Sequence, residues 1–90
     1  MDRPTMELRA SAKTNPNKLA GSAAKHIQEG KVVSITSVGA GAINQTVKAL
    51  AICRSFVASS GKDLTFTIGF QEVDIEGMKK TAMKFNLIVK

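Results

Sequence analysis

Apolar residues in this chain switch repeatedly between a period of two and a period of 3.6, and that switching dictates the layers it can build. From Thr5 onward Met6, Leu8, Ala10 and Ala12 alternate with Glu7, Arg9 and Ser11, the signature of a strand buried on one face. Lys13-Thr14-Asn15-Pro16 breaks the run. Asn15 as cap and Pro16 at the first helical position predict a helix start, because the N–H that proline lacks would be unpaired there. Leu19, Ala20, Ala23, Ala24 and Ile27 then recur on one helical stripe as far as Glu29, and Gly30 supplies a left-handed stop. Lys31 to Val38 is short, β-branched and bounded by glycine on both sides, which predicts a second strand.

After Gly39-Ala40-Gly41, the residues Ile43, Val47, Leu50, Ala51, Cys53, Phe56 and Val57 recur three and four apart. They predict a long second helix with that face buried, closing near Ser59-Ser60-Gly61. Leu64, Phe66, Ile68 and Phe70 alternate with polar or small residues, as do Met83, Phe85, Leu87 and Val89, giving two more strands. The polar stretch from Gln71 to Lys80 contains Gly77 and predicts a hairpin connection too long for a two-residue turn, with the last strand starting as early as Lys79. The order is β-α-β-α-β-β. A strand–helix–strand unit of this length implies a right-handed crossover between parallel strands. The expected fold is α/β: a two-layer sandwich in which both helices cover one face of a four-stranded mixed sheet. The other face is mostly Thr, Ser, Lys and Glu. Residues 1–4 read as a loose end and 5–90 as a single domain, the size expected for a chain of 90 residues.

Composition narrows the function classes. Four phenylalanines, with no Trp or Tyr, are the whole aromatic content, which weakens any role built on stacking single-stranded bases. One Cys and one His allow neither an internal disulfide nor a structural zinc. No apolar run approaches the ~20 residues of a membrane span, and the first residues lack the apolar stretch of a secretory signal, so a cytoplasmic location is expected. Thirteen basic against seven acidic residues leave a net charge of +6, a field that favours anionic partners.

Ser37 to Thr46 runs from a strand through two glycines into a helix, where backbone N–H groups converge on an anion. The dinucleotide fingerprint needs a third glycine where Asn44 stands, and no second half follows. The phosphate loop of nucleotide hydrolases needs Gly-Lys-Ser/Thr, and Lys48 comes too late for it. Two uses of the glycines stay open. They let the loop turn and the helix pack closely, or Gly39, Gly41, Asn44 and Gln45 reach a phosphate backbone. Lys13 and Lys18 flank the first strand–helix turn, and Lys48 lies one turn beyond Asn44. In this topology that turn and the start of the second helix share one end of the sheet, so the lysines can form one basic patch. Lys79, Lys80 and Lys84 follow the hairpin, while Lys25, Lys31, Arg54 and Lys62 read as ordinary surface charge. Glu72, Asp74 and Glu76 make the hairpin acidic, which repels a duplex. His26 beside the apolar stripe and Cys53 among Ala51, Ile52 and Phe56 read as structural. No nucleophile–base pair, metal cluster or cofactor motif stands out, so no catalysis, metal or cofactor is expected.

The string Gly39-Ala40-Gly41-Ala42-Ile43-Asn44-Gln45-Thr46-Val47-Lys48-Ala49 resembles the signature of the stage V sporulation protein S family. Ser11-Ala12-Lys13, Asn15-Pro16-Asn17, Ala20-Gly21, Ala51 to Val57, Asp63-Leu64, Gly77 and Lys80-Thr81-Ala82 extend the resemblance over nearly all of residues 6–90. It implies an Alba-like fold and a role in spore assembly and septation. Alba-like proteins are dimeric nucleic-acid binders that use the first strand–helix turn, the start of the second helix and the long hairpin. Carried over by position, Lys13 matches the first, and Gly39, Gly41, Asn44 and Gln45 match the second. The hairpin departs from the pattern, with Glu72, Asp74 and Glu76 where an Alba protein places arginine.

The expected function is a small nucleic-acid-binding regulator in sporulation, a homodimer or higher homo-oligomer that grips DNA or RNA phosphates without catalysis. Its expected binding residues are Lys13, Asn15, Lys18, Gly39, Gly41, Asn44, Gln45 and Lys48. The alternative is an oligomeric protein-interaction module that docks a sporulation or cell-division partner through the loop, motivated by the acidic hairpin and by Val38, Ala42 and Ile43. Self-association is expected through the second helix and the edge of the last strands, with Phe70, Met83 and Phe85 as candidates if they are not already core.

Overall fold

Six elements follow one another in the expected order: β1 (Thr5–Ala10), α1 (Pro16–Gln28), β2 (Val32–Ser37), α2 (Ala40–Ala58), β3 (Leu64–Ile75) and β4 (Met78–Val89). The structure, a computed structural model, describes residues 3–90. Met1 and Asp2, part of the expected loose end, lie outside the described residues. Arg3 Nε donates to the carbonyl of Gly30 at 3.0 Å, and the Pro4 carbonyl accepts from the Val32 amide at 2.8 Å.

The sheet order is β1-β2-β4-β3. β1 runs parallel to β2, as the α1 crossover requires, while β4 lies antiparallel to both β2 and β3. Val33 and Ile35 of β2, Phe85 and Leu87 of β4, and Leu64 of β3 turn to the same face. There they pack with Leu19, Ala23 and Ile27 of α1 and Leu50, Cys53 and Val57 of α2. Met6, Leu8 and Ala10 close that core along β1. Both helices therefore cover one face, as expected.

α1 starts as read. Asn15 is its cap, with the side-chain oxygen accepting from the amides of Asn17 and Lys18 at 2.9 and 3.2 Å, and Pro16 opens the helix. Gly30 follows with φ +82°. Three expectations need correction. β1 stops at Ala10 rather than reaching Ala12, because Ser11 and Thr14 close a turn: the Thr14 amide donates to the Ser11 carbonyl and the Ser11 amide to Thr14 Oγ1. The hairpin connection is only two residues long. β3 and β4 pair without interruption out to Ile75 opposite Met78, joined by Glu76 and Gly77 with φ +52° and +79°. Positive φ at both central positions is the type I′ turn, whose twist matches that of the strands. Finally, α2 is rotated from the expected face. Its buried residues are Ala42, Thr46, Ala49, Leu50, Cys53 and Val57, whereas Val47 and Phe56 are exposed.

Candidate functional site

The first strand–helix turn and the first turns of α2 meet at the end of the sheet where both parallel strands finish. Two contacts fix them together. Gln45 Nε2 donates to the Thr14 carbonyl at 2.9 Å. At Gly41 the α2 backbone comes so close to β1's exit that a Cβ there would lie 2.8 Å from Cβ of Ala12. Beneath them a buried hydroxyl pair ties α2 to β2. Thr46 Oγ1 donates to the Ala42 carbonyl one turn back at 2.9 Å, so the 2.6 Å contact with Ser37 is donated by Ser37 Oγ. Neither hydroxyl is left unsatisfied, which is what burial of both residues demands.

The helix starts differ in what they leave open. The first amides of α1 are taken by Asn15. α2 begins at Gly39, whose φ of +91° suits glycine, and has no side-chain cap and no acidic residue in its first turn. Gly39, Ala40 and Gly41 are exposed. Amides in a first helical turn have no intrahelical acceptor, and the helix dipole adds partial positive charge there.

Lys13, Lys18, Asn44 and Lys48 are exposed around this end. Lys13 rides on a turn braced by its own amide donating to Ser11 Oγ at 3.2 Å. Asn44 and Lys48 lie four apart on one outward face of α2. None of the ion pairs among the described residues engages Lys13, Lys18 or Lys48. The expected binding residues thus divide by job. Lys13, Lys18, Asn44 and Lys48 have open side chains. Asn15 Oδ1 and Gln45 Nε2 are committed to holding the two loops, and Gly41 is required by close packing.

One contributor escaped the sequence reading. Arg9 is exposed, takes part in no ion pair among the described residues, and lines a cleft of about 320 Å³ between the end of β1 and the inner side of the hairpin at Val73 and Ile75. Alternation placed Arg9 on the open face of the sheet, but nothing in the sequence showed the hairpin passing beside it. The hairpin itself carries three carboxylates against Lys79 and Lys80, and Glu72 is paired with Lys79 at 3.5 Å. Lys84 is turned to Glu7 at 3.6 Å.

Elsewhere the ionisable groups serve structure. Burial pushes the Cys53 thiol above its ordinary range. Lys31, by hydrogen bond and charge, holds the Glu29 carboxyl below its usual range, while His26 Nδ1 sits 3.2 Å from the Lys31 ammonium. Arg54 does the same for Asp63, which also accepts the Leu64 amide. Among the described residues no group of three or more His, Cys, Asp or Glu is placed to hold a metal ion. Among the described residues no helix is long and apolar enough to cross a membrane. An element order of β-α-β-α-β-β, a glycine-led second helix and a match of residues 6–90 to the family model described as Stage V sporulation protein S (SpoVS) together show that the chain belongs to that family, and with it to the process of sporulation.

Proposed function

We propose that the chain serves sporulation as a nucleic-acid-binding regulator, a self-associating protein that holds a phosphate backbone at the end of the sheet where β1 and β2 finish. The observation that carries this reading is the uncapped start of α2 at the end of the sheet that carries unpaired lysines: Lys13, Lys18 and Lys48 are open, and the exposed Ala40 and Gly41 begin the helix with no side-chain cap at its positive end. Arg9 extends the same field along the open face of the sheet. Such contacts position a protein on a backbone without reading its sequence. Asn44 is the side chain able to reach a sugar or base edge from the same face.

The test is fluorescence anisotropy against labelled duplex DNA, single-stranded DNA and RNA, each titrated with salt. Log affinity is expected to fall linearly with log salt, at about 0.9 per phosphate contacted on duplex and about 0.7 on a single strand. Lys13→Glu with Lys48→Glu is expected to abolish binding with the fold intact by circular dichroism, since both side chains are exposed and unpaired. Undiminished binding in that double variant would refute the site. Absence of binding to all three probes at low salt would leave the charge without this role and favour a protein partner at the loop.

A further inference from the structure

Arg9 stands between two clefts on the open face of the sheet. On one side is the apolar cleft of about 320 Å³, walled by Ala10, Ala12 and Val38 at the strand ends and by Val73 and Ile75 on the hairpin. On the other is a polar recess of about 350 Å³, bordered by Glu7, Gln71, Glu72, Asp74 and Lys84. Arg9, Thr36 and Val73 line both, so the two are continuous. Strand register accounts for the floor. Arg9 lies opposite Thr36, Thr36 opposite Lys84, and Lys84 opposite Gly69, which ends the row without a side chain. Each cleft reaches the lower bound of small-molecule sites, about 300 Å³.

The phosphate contacts argued above abut this cleft. Ala12 precedes Lys13 and Val38 precedes Gly39, and Ala12 is the residue that Gly41 crowds. A strand held at Lys13 and the start of α2 therefore has its next base beside the apolar walls. The recess beyond Arg9 is no seat for a further phosphate, because three carboxylates border it against one Arg and one Lys. Glu7 is paired with Lys84 and Glu72 with Lys79, which leaves Asp74, in no ion pair among the described residues, as an acceptor. Aliphatic walls, a flat guanidinium and a carboxylate acceptor suit a planar, uncharged group with an amine on its edge. A nucleobase is such a group: guanidinium planes stack on its faces and carboxylates accept from its amine. None of the four phenylalanines lines either cleft, so the base is enclosed rather than laid on an aromatic platform. Within a duplex both faces are stacked and the amine is paired, so only an unpaired base can enter.

We propose that this double cleft receives one unpaired, amine-bearing base of a single-stranded nucleic acid, the ring between the strand ends and the hairpin and the amine toward Asp74. Arg9 is then a stacking group for the base rather than one more phosphate contact. The proposal rests on the phosphate reading above and goes beyond it by selecting a single strand over a duplex.

The deciding comparison uses two labelled single strands of equal length and charge, an oligodeoxycytidylate and its abasic counterpart. Cytosine carries the amine and stacks weakly on itself. By fluorescence anisotropy the cytidylate is expected to bind about tenfold or more tightly, the order that holding one base supplies, with the same salt slope for both strands. Val73→Gln keeps the charge and lies on the two-stranded end of the hairpin. It should bring the cytidylate down to the affinity of the abasic strand. On the wild type, amide resonances of Arg9, Val38, Val73 and Ile75 should shift with the cytidylate and hold still with the abasic strand, a readout that stands even if V73Q fails to fold. Equal affinity for the two strands, or a folded V73Q chain that keeps the preference, would overturn the base cleft while leaving the phosphate reading in place. A preference for the cytidylate with those four amides unmoved would put the base elsewhere and overturn the cleft as well. No binding of either strand at low salt would overturn both readings.

Discussion

A methyl group at position 41 would sit 2.8 Å from Cβ of Ala12, closer than two carbon atoms settle without something moving. Both atoms belong to short, stiff residues on elements already tied together by Gln45 and Thr14, so the strain has little room to relax. Gly41→Ala is expected to cost about 1–3 kcal/mol, the usual range for overpacking, read as a lower urea midpoint. Combining it with Ala12→Gly should recover most of the loss. Additive losses in the double variant would mean that the clash is not the cause. Gly39 owes its identity to something else, a φ of +91° at the start of α2, where a side chain is strained whatever space surrounds it. The two glycines of the signature are thus explained by packing and by backbone geometry. Any contact with an anion uses amides that those requirements happen to expose.

At the scale of elements, the hairpin is where a change in turn chemistry should be felt. Type I′ turns favour Asn-Gly over Glu-Gly because both central residues sit at positive φ. Glu76→Asn is expected to raise stability by about 0.5 kcal/mol, within the range for relieving an unfavourable backbone conformation. Unchanged or lower melting temperature would count against it. The same hairpin was the least legible part of the sequence. Gln71, Glu72 and Asp74 on β3 and Lys79, Lys80 and Thr81 on β4 form a two-stranded ribbon beyond the reach of β2, which pairs with β4 only from Met83 to Asn86. A ribbon open to water on both faces leaves no one-sided apolar pattern, so it reads as loop. α2 misled for a different reason. Its inner face is built from Ala42, Thr46 and Ala49, small enough to let the helix lie close, while the bulkier Val47 and Phe56 turn outward. By contrast, α1 was legible throughout because Asn15, Pro16 and Gly30 mark its ends and its stripe is buried. The candidate site was legible as a place, two loops at one end of the sheet. How its members divide was legible only in part: Asn15 caps a helix end that the sequence marks, whereas Gln45 spends its amide on the Thr14 carbonyl, a partner that only the fold brings near.

The whole molecule should respond to acid through two surface carboxylates. Asp63, beside Arg54, and Glu29, beside Lys31, both titrate below their ordinary range. A depressed folded value means that each contributes stability in full above the unfolded value of about 4, and that this is lost as pH falls through the lower folded value. The melting temperature is therefore expected to drop on acidification below about pH 4, and Asp63→Asn to make that drop shallower. Both groups are exposed, so salt should shrink the difference. An Asp63→Asn chain with an unaltered acid limb would show that the ion pair carries no weight. Sheet order has a consequence of another kind, for how the molecule comes to exist. β4 is the last strand in chain order yet lies between β2 and β3, and it supplies Phe85, the largest fully buried side chain. During synthesis, β1, both helices and β2 can gather early, but β3 has no neighbour to pair with until β4 emerges. The uncharged stretch around Ile68 therefore waits unpartnered in every newly made chain, and the central position of the final strand makes closure of the sheet the closing act of folding.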